Sequence, residues 1–165
     1  MIELKLFTSD DFQQLIGWIN NKELLVTIAG NYFSYPLTVE QLNAYLKDGN
    51  SHSFNIVDTA ANRIIGHAEI YKTGNGIYKI DKLIIGDTAS RGKGLCQPVM
   101  KALAEYAFTE LQATTIELNV FDWNTAAIRC YEKAGFVINA DKTALFTIGD
   151  EQWNALNMVA QIKQD

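Results

Sequence analysis

Arg91-Gly92-Lys93-Gly94-Leu95-Cys96 stands between a strand-like run, Tyr78 to Ile85, and a helical run that continues to about Leu111. Strand, glycine turn and helix in that order build an anion site. The first turn of a helix has backbone N–H groups without intrahelical partners, and its aligned dipoles place partial positive charge there. Glycines let the backbone approach a phosphate closely, and Arg91 and Lys93 add cationic charge. Taken alone, the tetrad Arg-Gly-Lys-Gly reads as a solvated turn. It is not a Gly-x-Gly-x-x-Gly or a Gly-x-x-x-x-Gly-Lys-Ser/Thr loop, so its specificity must come from its neighbours.

Ser53 to Asp58, Ile64 to Tyr71 and Ile77 to Ile85 read as strands joined by short turn-rich links, an antiparallel meander. Upstream, Ile2, Leu4 and Leu6 alternate as a first strand. Thr8 to Asp11 then cap a helix through Phe12, Leu15, Ile16 and Ile19. No clear period runs from Val26 to Tyr35; Thr38 and Gln41 have capping-box spacing for a second helix. Downstream of the turn, Leu95, Val99, Ala102, Leu103 and Tyr106 share one helical face, a core stripe, and Pro98 is tolerated in the first turn. Ile116, Leu118 and Val120 alternate, Asn124 caps a short helix that Gly135 ends, and Phe136 to Ile148 and Trp153 to Ile162 are the last strands. The expected architecture is α+β: a mixed sheet with helices on its faces.

The 165 residues fit one domain, 1–165. A net charge of −5 argues against nucleic acid or an anionic membrane as partner and is compatible with an amine-bearing substrate. No apolar run reaches a membrane span, and the N-terminus lacks a signal-peptide pattern, so a cytoplasmic location is expected. Cys96 and Cys130 are the only cysteines; the expectation is two reduced thiols, with no disulfide framework and no metal.

Arg91 and Gly94, taken with Asn124, Ala127, Tyr131, Gly135 and Phe136, resemble two motifs of the GNAT N-acetyltransferase superfamily in the right order and separation. Cys96 departs from the usual Gly or Ala. The opening segment and the Ile-Ile-Gly-Asp approach to the turn are most similar to the branch of ribosomal-protein alanine N-acetyltransferases and related small-molecule enzymes. The resemblance implies a GNAT-like, mostly antiparallel sheet of about seven strands with helices on both faces. It also implies acetyl-CoA as cosubstrate and direct transfer of acetyl to a primary amine, the acceptor being a protein N-terminus or a small molecule. A non-catalytic CoA-binding or sensing domain is the alternative, and a homodimer is possible.

By that resemblance the N–H groups of Gly92, Lys93, Gly94, Leu95 and Cys96, helped by Arg91, hold the pyrophosphate. Main-chain groups near Ile84 and Gly86 meet the pantetheine arm and the oxyanion. Asn124 adds a pantetheine contact to its cap, and Tyr131 is the general acid that protonates the departing thiolate. Without the motif, Tyr131 would be a buried aromatic. An amine with a pKa near 10.4 must also lose a proton at pH 7. Asp81 or Glu69 is the nearest carboxylate for that, with surface carboxylates or an ordered water as the other readings. His52 and His67 have no Ser or Cys partner at an informative position, and His67, on a strand, reads as structural. Val26 to Pro36 and the last hairpin should form the acceptor pocket, with Trp123, Trp153, Tyr32, Phe33 and Tyr35 lining it or packing elsewhere.

Overall fold

The computed structural model describes residues 1–162. Strands are β1 (Ile2–Leu6), β2 (Ser51–Asp58), β3 (Arg63–Gly74), β4 (Ile77–Ile85), β5 (Thr115–Phe121), β6 (Val137–Ile148) and β7 (Glu151–Gln161). Helices are α1 (Phe12–Trp18), α2 (Lys22–Ala29), α3 (Val39–Leu46), α4 (Cys96–Thr109) and α5 (Thr125–Lys133). The strands form one sheet ordered β1-β2-β3-β4-β5-β7-β6, in which only β4 and β5 run parallel.

Local signals set several ends. Thr8 and Asp11 form a reciprocal capping box, with Thr8 N–H donating to the Asp11 carboxylate at 2.9 Å. Thr38 caps α3 through the Gln41 N–H at 3.3 Å, while the Gln41 amide donates to the carbonyls of Ser34 and Pro36. α2 corrects the aperiodic reading of its segment. Asn21 caps it, accepting from Leu24 N–H at 2.7 Å. Leu25 and Ala29 pack into the core and Val26 into a neighbouring cluster, while the stretch read as aperiodic, Val26 to Tyr35, takes in only the last four residues of the helix.

Alternation along the strands builds two cores. Phe54, Ile56, Ile70, Ile80 and Leu118 face α4 and α5, with Val99, Met100 and Leu103. On the opposite face Phe7, Phe12, Leu15, Leu25, Leu42 and Tyr45 join α1, α2 and α3 to the sheet. His67 points into that second core, edge-on to Phe7 at 4.5 Å and bonded to the Tyr45 hydroxyl at 3.2 Å.

Burial, aided by the Lys82 charge, pushes the His67 pKa from 6.5 down to about 3. Between those values the unfolded chain takes a proton that the folded chain refuses. Its contribution to stability is therefore full above pH 6.5 and is lost as pH falls toward 3, at up to about 1.4 kcal/mol per pH unit. Urea midpoints should be lower at pH 4.5 than at pH 7, and His67→Gln, which cannot titrate, should narrow that difference.

Candidate active site

Parallel pairing of β4 with β5 runs from Ile77↔Thr115 to Ile80↔Leu118 and then stops. Beyond it the strands part, and β4 bulges at Lys82, whose φ is +52°. The opening holds a cavity of about 40 Å³ lined by Thr27, Ile28, Asp81, Leu83, Asn119 and Tyr131, among others. Because Ile80 and Leu118 face α4 and α5, their strand neighbours Asp81 and Asn119 face the other way. Tyr131 thus comes to the opening from the α5 side of the sheet and Asp81 from the opposite side.

The two carboxylates expected as bases occupy different surroundings. Glu69 is buried, its Oε1 2.9 Å from Lys82 Nζ, and it also accepts from Ser51 Oγ. The ammonium lies over the Tyr32 ring, 3.9 Å from its centroid. Glu69 is therefore the counter-ion of a buried lysine. Asp81 is partly exposed at 28%, accepts from Lys82 N–H at 2.9 Å and lies 3.4 Å from Lys82 Nζ. It lines the opening and the larger cavity beside it.

Tyr131 carries a phenol whose pKa burial raises to about 12. Its hydroxyl has no protein partner among the described residues, so it keeps its proton at neutral pH and has it to give. Asn124 caps α5, accepting from Ala127 N–H at 3.4 Å.

At the turn, Gly92 and Gly94 have φ of +73° and +71°. An added Cβ would meet nothing within 4 Å at either, so the backbone conformation, not space, requires glycine there. From Gly92 to Cys96 no N–H has a backbone or side-chain acceptor among the described residues. Five unpaired donors in an open turn before a helix suit a diphosphate. Arg91 Nε donates to the Ile85 carbonyl at 2.9 Å and ties the turn to the end of β4.

The main-chain groups of Ile84 and Gly86, where pantetheine contacts are expected, are engaged by β3. Gly86 N–H donates to the Ile65 carbonyl at 2.9 Å, and Ile84 pairs with His67, so both direct their polar groups at β3. The free edge toward β5 belongs to Ile85 and, two residues back, Leu83. Gly86 is glycine for space: a Cβ there would overlap the Trp18 indole.

Cys96 and Cys130 form a disulfide, with Cα atoms 6.3 Å apart, which corrects the expectation of two free thiols. The pairing joins the first residue of α4 to α5 beside Tyr131, and 34 residues of separation gave no local sign of it. By the chain-entropy estimate, closing a loop of that size stabilises by about 4 kcal/mol. Reduction, or Cys130→Ser, should lower Tm by about 10 °C, read by calorimetry with and without reductant. An unchanged Tm contradicts this.

A second cavity, about 170 Å³, is walled by Val26–Asn31, Asp81, Phe121, Phe146 and Ala155; a third, about 430 Å³, continues past Lys79 and Asn119 toward Glu117 and Thr143. The two segments expected for the acceptor pocket supply part of the walls, β4 and β5 supply the rest, and the aromatic lining is Phe121 and Phe146. Trp123 and Trp153 pack on Phe121 outside it, Tyr32 covers Lys82, Phe33 is buried, and Tyr35 bonds the Asn20 carbonyl. Lys79, Lys82, Asn119 and α2 were not singled out from sequence. The one signal was charge at three positions of an otherwise apolar strand, Lys79, Asp81 and Lys82.

A family model described as an acetyltransferase (GNAT) domain matches residues 2–137. An aminoglycoside N(6')-acetyltransferase type 1 of Klebsiella pneumoniae is 26% identical over 180 residues, spanning 92% of this chain and 84% of that protein. Among solved structures, the spermidine N-acetyltransferase of Vibrio cholerae in complex with CoA and spermine superposes with a TM-score of 0.82 at 21% identity, over 97% of this chain and 95% of that one. The aminoglycoside acetyltransferase AAC(6')-Ib, bound to coenzyme A and kanamycin, does so with a TM-score of 0.73 at 25% identity, over 98% and 95%.

Proposed function

This chain belongs to the GNAT acetyltransferase family, and on that premise we propose that it transfers acetyl from acetyl-CoA to the primary amine of a small molecule, with Asp81 as base and Tyr131 as acid. The observation that carries the assignment of roles is that both side chains line one small opening between the parted ends of β4 and β5. Acetyl-CoA supplies a thioester there. Gly92 to Cys96, Arg91 and Lys93 hold its diphosphate; Ile85 and Leu83 offer N–H groups along the free edge of β4 to its arm and to the developing oxyanion. Asp81 takes the proton of the attacking amine, directly or through water. Tyr131 donates to the departing sulfur, and Asn124 keeps α5 capped beside it. Alignment of amine and thioester in a narrow slot supplies much of the remaining acceleration.

A small acceptor is favoured over a protein N-terminus. The relatives described above act, by name, on aminoglycosides and spermidine, not on ribosomal-protein N-termini. Those relatives do not single out the ribosomal-protein branch suggested by the opening segment. The test is release of free CoA, read with a thiol reagent, when the protein meets acetyl-CoA and a panel of small amines and N-terminal peptides. Turnover with small amines supports the proposal. CoA binding without turnover on any amine would instead fit a sensing domain.

A further inference from the structure

We propose that the acceptor carries an anionic group, carboxylate or phosphate, in addition to its reactive amine, and that Lys79 reads it. The inference rests on the reading of the groove beside Asp81 as the acceptor site. Lys79 and Asp81 are two residues apart on β4, so their side chains leave the same face of the strand, with Cα atoms about 6–7 Å apart. Lys79 is half-buried and lines both larger cavities where they join.

Three of the neighbouring carboxylates are engaged by other lysines, and none pairs with Lys79. Asp81 and Glu69 share Lys82. Glu117 stands opposite Lys79 in the β4–β5 register, yet its carboxylate is held by Lys142 Nζ at 3.0 Å. Asp141 is exposed on the irregular part of β6. Among the described residues no carboxylate comes within ion-pair distance of Lys79. Its polar contact is neutral: with the Asn119 amide turned so that its nitrogen donates to the Leu118 carbonyl, the amide oxygen accepts from Lys79 Nζ at 2.8 Å. An ammonium that is partly desolvated and without a counter-ion calls for one from the ligand.

The same cavity is lined by Asn157, 5% exposed, whose Oδ1 has no partner. A hydroxyl or N–H of a polar guest would satisfy it. For a polycation, Lys79 is a repulsive element beside the base, which selects against acceptors of that kind.

Four probes of equal chain length test this on the full protein: an ω-amino carboxylate, its primary amide, an ω-amino alkyl phosphate and a linear diamine. The wild type should show kcat/KM about tenfold or more higher for an anionic probe than for the amide or diamine, a difference of about 1.4 kcal/mol. The carboxylate and phosphate arms separate the two anions. Lys79→Met should abolish the preference and Lys79→Glu should turn it toward the diamine, with Tm checked for each. Calorimetric binding of the same probes to the CoA-loaded protein reads the preference without turnover. Equal or better use and binding of amide or diamine, or a preference that survives in Lys79→Met, overturns the inference. Failure of every amine to be acetylated would overturn the proposed function, while the binding series would still decide the role of Lys79.

Discussion

Tyr131→Phe is expected to lower kcat/KM for acetyl transfer by about 10²–10⁴-fold, the usual range for a positioned acid, while CoA affinity and Tm stay close to wild type. The substitution removes one hydroxyl and keeps the ring that packs near Phe136, with centroids 6.4 Å apart. That hydroxyl bonds no protein group among the described residues, so its loss strands no partner. The phenol's pKa is raised to about 12 by burial, which keeps it protonated through neutral pH. Its value to the reaction is therefore the proton, and the loss should fall on turnover. A variant with wild-type turnover, or one whose CoA affinity collapses in parallel, contradicts the assigned role.

Asp81→Asn should also cost about 10²–10⁴-fold in kcat/KM. The amide oxygen can still accept from Lys82 N–H, so the bulge keeps its internal bond. Glu69→Gln makes the contrast. It replaces the partner that lies 2.9 Å from a buried ammonium, and breaking such a pair costs about 3–5 kcal/mol. Asp81→Asn should thus lose turnover with little change in denaturation midpoint, whereas Glu69→Gln should lose stability. If Glu69→Gln folds as wild type and loses turnover while Asp81→Asn keeps it, the two roles are reversed.

Features encoded within a few residues were legible in the sequence. The Thr8, Thr38 and Asn124 caps, the antiparallel meander of β2, β3 and β4, and the glycine turn all depend on local backbone preferences, and the structure has them. Features that depend on long-range packing were not. α2 turns Leu25, Val26 and Ala29 inward, but a stretch read from Val26 to Tyr35 straddles its end at Ala29 and shows no period, although Asn21 marked its start. Pairing with β3 turns the polar groups of Ile84 and Gly86 away from β5 and leaves the free edge at Ile85, which counting back from Arg91 alone does not reveal. Two carboxylates on adjacent central strands looked alike until the sheet buried one against Lys82 and left the other at the opening. The Cys96–Cys130 pair required α4 and α5 to be docked before it could be seen.

The most direct measurement is a crystal structure of the protein loaded with CoA. The account predicts the diphosphate on the N–H groups of Gly92 to Cys96, the arm along Leu83 and Ile85, and the sulfur within hydrogen-bonding reach of the Tyr131 hydroxyl. A CoA bound elsewhere, or a sulfur remote from that hydroxyl, would contradict it.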